Sequence, residues 1–303
     1  MKLEQAVSIG VTAALGVSAA LAFVRHEEEF ARRLGLKGTS VVDDHVGKHI
    51  EYDVSIKSGA VTIIFESGLG SPLESWDWIW QNLRPHFTLL RYHRSGIGRS
   101  TSRLRPAQMI ELLLSRFAAE GPVLIVSHSI GAVIAANVVA ESDVLRSRLE
   151  GIYMVDATDA DLLGRERNTP ASVGQYHQMT LQELLSAFLG TNRWTVNKIE
   201  RDVAYLPDPQ RAYVVTSAMP RTLLAAQREY DLEAVDNQSS LASLPIARHV
   251  LAASDNVKQQ QALASRLDAS FHVIAGSSHR SILGKPAPAA IVSQIIRQTG
   301  IPS

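Results

Sequence analysis

Hydrophobic and polar positions along the chain fall into three regimes. Residues 6–24 form an uncharged run of nineteen in which nothing polar marks a solvent face. From residue 39, short β-rich apolar runs alternate with stretches of helical spacing, the pattern of an α/β fold with a mostly parallel sheet. Eight strands are predicted at Ser40–Val46, Ile50–Ile56, Val61–Phe65, Phe87–Tyr92, Val123–Val126, Gly151–Val155, Ala247–Ala252 and Phe271–Ile274. Helices are expected near Ser75–Arg84, Pro106–Ala119, Ile130–Glu141, Val257–Leu267 and Ala287–Arg297. The first two strands have no helix between them, so that end of the sheet should be antiparallel. From about Asp159 to Leu244 the alternation stops, and helical segments such as Leu181–Leu189 and Arg221–Tyr230 are interrupted by Pro170, Pro207, Pro209 and Pro220.

The division that follows is an N-terminal segment (1–24), a linker (25–38), a core in two parts (39–158 and 245–303) and a helical insertion (159–244). At about 1.5 Å per residue, a nineteen-residue helix just crosses a hydrocarbon core of about 30 Å. The run 6–24 is therefore expected to act as a single membrane anchor. Its rival is a cleaved signal peptide, with Lys2 ahead of it and Ala20-Leu21-Ala22 as a small-x-small cleavage site, which would lead to secretion. Lys and Arg follow the run more than they precede it, but Glu27, Glu28 and Glu29 leave its orientation open.

Composition narrows the function classes. Lys plus Arg and Asp plus Glu are 30 each, so no basic excess favours nucleic acid. The absence of Cys removes disulfides, thiolate metal sites and cysteine nucleophiles. Neither a His-Glu-x-x-His motif nor another convincing ligand cluster occurs, and no metal or cofactor is expected.

The chemistry gathers at strand ends. The apolar strand Val123–Val126 runs into Ser127-His128-Ser129-Ile130-Gly131 and then a helix of small residues. A tight turn there lifts Ser129 to an exposed point, with small neighbours two residues either side, beside the N–H groups of a helix N-terminus. Read without that context, the segment is a serine-rich turn capping a helix. Upstream, Ile63–Glu66 runs into Ser67-Gly68-Leu69-Gly70. Acyl transfer needs two N–H donors converging on an oxyanion, and these are expected from Ile130 and Leu69. A third loop, Tyr92-His93-Arg94-Ser95-Gly96-Ile97-Gly98-Arg99-Ser100, lacks the third glycine and the prompt helix of a dinucleotide fingerprint.

These three loops, in this order, resemble the α/β-hydrolase family over about residues 40–300, with Ser127 in place of the usual first glycine of the nucleophile elbow. The resemblance implies an eight-stranded hydrolase core with a helical cap. It further implies a histidine base, matched by His279 in Ile274-Ala275-Gly276-Ser277-Ser278-His279. The orienting acid is expected at Asp255, the usual family location after the strand Val250–Ala252. Asp156, after Ile152–Val155, is the alternative that some members use. His128 is expected to point away from Ser129.

The resulting expectation is a serine hydrolase that cleaves an ester, or a related acyl bond, of a small and apolar substrate through an acyl-enzyme. Serine at 129 speaks against the family's dehalogenases and epoxide hydrolases, in which the resemblance leads one to expect Asp. Trp76, Trp78, Trp80 and Trp194 are candidates to line an apolar acyl site. Thioesterase and carbon–carbon hydrolase activities use the same triad. A ligand-binding or receptor protein without turnover, and a nucleotide-dependent oxidoreductase, are the rival classes.

Overall fold

A computed structural model describes residues 3–35, 39–189, 191, 216–284 and 287–299. Eight strands form one sheet: β1 (Ser40–Asp43), β2 (His49–Ser55), β3 (Thr62–Glu66), β4 (Thr88–Tyr92), β5 (Val123–His128), β6 (Leu149–Val155), β7 (Ala247–Ala253) and β8 (Ser270–Ile274). Their spatial order is β1-β2-β4-β3-β5-β6-β7-β8. β2 pairs antiparallel with both β1 and β4, and every later pairing is parallel.

The described helices are α1 (Leu3–Gly35), α2 (Asp77–Leu83), α3 (Pro106–Phe117), α4 (Gly131–Glu141), α5 (Asp143–Arg146), α6 (Ala160–Arg167), α7 (Pro170–Phe188), α8 (Pro220–Leu232), α9 (Val257–Arg266) and α10 (Pro288–Gln298). The sheet lies between two helical layers, which is why β3 and β4 are buried along their whole length, Arg91 of β4 included. Side chains alternate between the layers. Ile64 and Ile125 join α3, α4 and α9 on one face, while Ile63, Phe65, Leu124 and Val126 join α2 and α10 on the other.

Proline placement refines the reading of the insertion. Pro170 and Pro220 open α7 and α8 rather than interrupt helices, since the first helical turn has no partner for the missing N–H. Between β6 and β7 the described residues hold α6, α7, α8 and a 3-10 turn at Ser239–Ser243. α7 and α8 pack together through the stacked rings of Tyr176 and Tyr230, 3.7 Å between centroids. Pro207, Pro209 and Trp194 lie outside the described residues.

The N-terminus requires a correction. Among the described residues, no helix is long and apolar enough to cross a membrane, so the expected single N-terminal span is overturned. α1 does not stop where the uncharged run stops. It continues past Val24 through Arg25 and Glu29 to Gly35, and it touches α7. The run itself is rich in small residues, with six Ala and two Gly, which offer little apolar area per turn.

Candidate active site

Ser129 sits between β5 and α4 with φ +55, a conformation that non-glycine residues seldom adopt. The strain is held from several sides. Its N–H donates to the Val155 carbonyl (3.2 Å), and its carbonyl accepts from Thr158 (2.9 Å) and Ala132 (3.1 Å). Gly131 permits the turn: a Cβ there would lie 2.5 Å from the Glu66 carbonyl oxygen and 2.6 Å from that of Ser67. Ser127 is fully buried, and its hydroxyl donates to the Tyr153 carbonyl, so serine is accommodated at the departure from the usual glycine.

His279 follows β8, and its Nδ1 lies 2.5 Å from Asp156 Oδ2. Asp156 is fully buried at the end of β6, itself in a left-handed conformation at φ +41. Its other oxygen accepts from the Ala253 N–H (3.0 Å) and Asn256 Nδ2 (3.3 Å). Burial pushes the Asp156 carboxyl up, but the hydrogen bonds from His279 and Ala253 outweigh it and hold the group below the usual carboxylate range.

Of the two candidate acids, the structure brings Asp156, not Asp255, to His279. Asp255 is exposed, in the turn beyond β7, and makes no hydrogen bond with His279. The reason is register. β6 neighbours β5, with Val155 paired to His128, so Asp156 lies directly beside Ser129, whereas Asp255 lies a strand further away and beyond the strand end. Among the described residues, no hydrogen bond joins Ser129 to His279, a separation common before substrate binds.

Neither the Leu69 N–H nor the Ile130 N–H donates to any described protein acceptor. The Leu69 loop approaches the serine closely: a Cβ on Gly68 would lie 3.4 Å from Ser129 Cβ and 3.1 Å from His128 Nδ1. Arg94, buried at the end of β4, donates to the carbonyls of Ser67 and Gly68 at 2.7 Å each. From below, Trp76 Nε1 donates to Ser67 Oγ at 3.0 Å.

The His128 side chain lies against His279. Its ring stacks on that of His279, 5.0 Å between centroids, and both its ring nitrogens are buried without a hydrogen-bond partner. Burial, with His279 adding to it, pushes its pKa down to about 3, so His128 stays neutral. Trp76 and Trp80 pack on Phe65 in the core rather than line the site. Among the described residues, no group of three or more His, Asp or Glu could hold a metal ion.

This geometry belongs with a match along the sequence. A model of the alpha/beta hydrolase family matches residues 63–293. The chain belongs to that family. The curated relative YqjL of Bacillus subtilis, an uncharacterized protein, is 40% identical over 83 residues, which is 25% of this chain and 33% of the relative. The chain thus matches about a third of that relative's length. Among solved structures, it is similar to the Cif epoxide hydrolase from Acinetobacter nosocomialis, with a TM-score of 0.66 and 15% identity, covering 91% of this chain and 95% of that one. A thermophilic esterase from Thermogutta terrifontis superposes with a TM-score of 0.62 and 15% identity, covering 86% and 98%. At such identities the likeness is one of fold. Within this hydrolase, the grip of Arg94 on the Leu69 loop leaves no signal in the sequence beyond the place of Arg94 in the loop Tyr92–Ser100.

Proposed function

We propose that this hydrolase cleaves carboxylic esters through a seryl acyl-enzyme, with Ser129 as nucleophile, His279 as base and Asp156 as its orienting acid. The observation that carries the reading is the buried Asp156 carboxylate on His279 Nδ1, one strand from a serine held at φ +55. With Nδ1 protonated toward Asp156, Nε2 is the nitrogen available to take the Ser129 proton. Attack on the ester carbonyl creates an oxyanion, for which the unengaged Leu69 and Ile130 N–H groups are the donors. The alkoxide leaves with the proton from His279. Water, deprotonated by the same ring, then attacks the acyl carbonyl and releases the carboxylic acid.

Serine also separates ester from epoxide chemistry. Opening an epoxide with a serine hydroxyl would give an ether, which has no carbonyl for water to attack. An acyl-serine can be released. With Trp76 and Trp80 in the core, the preference for an apolar acyl group rests on fewer residues than the sequence implied, and a series of p-nitrophenyl esters of increasing chain length reads it directly.

Ser129→Ala removes the attacking oxygen while keeping a small side chain in the turn. We expect turnover of p-nitrophenyl acetate to fall to background and fluorophosphonate labelling to vanish, with the circular dichroism spectrum unchanged. Wild-type turnover in that variant would exclude Ser129 as nucleophile. A wild-type protein that neither labels nor turns over any ester would instead favour a ligand-binding role for the scaffold.

A further inference from the structure

Arg94 does more than fill space beneath the Leu69 loop. The Gly68 carbonyl it grips and the Leu69 N–H belong to one peptide unit, and in a trans peptide these two bonds point in opposite directions. Holding the Gly68 oxygen at 2.7 Å therefore aims the Leu69 N–H away from the guanidinium. A free loop peptide could rotate. This one is held at the same oxygen from two sides, by Arg94 and by the Ser71 N–H at 3.1 Å, and Arg94 is the side-chain half of that hold.

What fixes Arg94 comes partly from the insertion. Its Nε and Nη2 donate to the two carboxylate oxygens of Glu229, on α8, at 2.7 and 2.8 Å. Its Nη1 donates to Glu66 Oε1 at 2.6 Å, and Glu66 Oε2 accepts from the Tyr92 hydroxyl. Of the two carboxylates, Glu229 meets the guanidinium through two hydrogen bonds and Glu66 through one. Glu229 also reaches the loop itself, accepting from the Gly70 N–H at 3.5 Å.

Packing reinforces the same contact. α8 lays its small residues on the glycines of two loops: a Cβ on Gly70 would lie 3.0 Å from Ala226 Cβ, and one on Gly96 3.0 Å from Ala225 Cβ. Arg221, one turn earlier on α8, donates to the carbonyls of Gly96 and Gly98. The helix is thus seated on the loops that shape the site rather than poised above them.

We propose that Glu229 is a positioning residue supplied by the insertion: by clamping Arg94 it sets the orientation of the Leu69 peptide, so that docking of α8 determines whether the site can stabilise an oxyanion. This rests on the acyl-enzyme reading above. It makes α8 a fixed part of the machinery, in contrast to a lid that lifts between turnovers.

The test reads oxyanion binding separately from folding. Glu229→Gln keeps the side-chain shape but sets an N–H donor against the guanidinium. With full-length enzyme counted by fluorophosphonate titration, kcat for p-nitrophenyl acetate should fall on the order of 10- to 100-fold, short of the ~10²–10³ lost when an oxyanion donor is removed outright. KM should stay within about twofold. Affinity for hexyl trifluoromethyl ketone, whose serine adduct carries an oxyanion, should fall by the same factor as kcat. Arg94→Lys, which loses the planar fork, should give the same paired loss, whereas Glu229→Asp, which keeps the charge, should recover part of it. Unchanged ketone affinity beside a reduced kcat would overturn the proposal. So would a lowered Tm with wild-type kcat per labelled serine. If Ser129→Ala turned over esters like the wild type, the acyl-enzyme reading and this one would fall together.

Discussion

A carboxylate orients an imidazole only when it lies within hydrogen-bond reach and out of competition with water. Asp156 meets both conditions, being fully buried and 2.5 Å from His279 Nδ1, and Asp255 meets neither. Asp156→Asn keeps the shape but offers His279 an N–H in place of an acceptor oxygen, which favours the tautomer with its proton facing Ser129. The kcat for p-nitrophenyl acetate should then drop by about 10⁴, on the precedent of the serine-protease triad. Asp255→Asn should leave kcat within about twofold. A reversed ranking, measured on variants with matching circular dichroism, would put the acid after β7. Ser129 and His279 could be brought forward as candidates because each sits in a short motif beside an apolar strand. The two aspartates could not be ranked, because two strands end in a nearby aspartate and only spatial strand order tells which one faces the histidine. Glu229 was illegible for a related reason: its partner, Arg94, lies 135 positions earlier in the chain.

Elements rather than residues set how closely the elbow can approach the neighbouring strand. α4 begins at Gly131, where the helix N-terminus abuts the last carbonyls of β3 and the loop beyond it. Gly131→Ala would place a Cβ about 2.5 Å from backbone oxygen, a contact no rotamer relieves. α4 must then shift away from β3, taking the Ile130 N–H with it. Destabilisation of about 1–3 kcal/mol, the usual cost of overpacking, should appear in urea unfolding. Activity per labelled serine should also fall, because the elbow moves. Normal stability and activity would mean that the strand end gives way instead. The sheet itself was readable from alternation alone, since apolar runs of four to seven residues had no helical period to compete with. A proline misled at α7, expected only from Leu181 and in fact started by Pro170, whereas α8 begins at Pro220, beside the expected start at Arg221.

At the scale of the whole molecule, a net charge of zero conceals a set of buried ion pairs joining distant segments. Composition cannot show them, because it counts charges without placing them. One set is centred on His93 at the exit of β4. His93 Nδ1 lies 2.9 Å from Glu51 on β2, and Nε2 lies 3.4 Å from Glu74 ahead of α2. Arg99 donates to Glu51 through its own N–H and Nε. Burial opposes the charged ring, but the hydrogen bond to Glu51 and the nearby carboxylates of Glu51 and Glu74 prevail and lift the His93 pKa to about 9. A histidine whose folded pKa is raised from about 6.5 stabilises fully below that unfolded value. The contribution is lost as pH climbs from about 6.5 through about 9. Asp77, held at about 6 chiefly by burial, is mostly ionised by the start of this window. Tm should therefore fall as pH rises from 6.5 to 9, and His93→Gln should flatten that limb while lowering Tm most at pH 6.5. The informative quantity is the difference between the two Tm curves, in which every group common to both proteins cancels. Two parallel curves across the window would show that His93 is not charged in the folded protein, and that the link between β2 and β4 is an ordinary hydrogen bond.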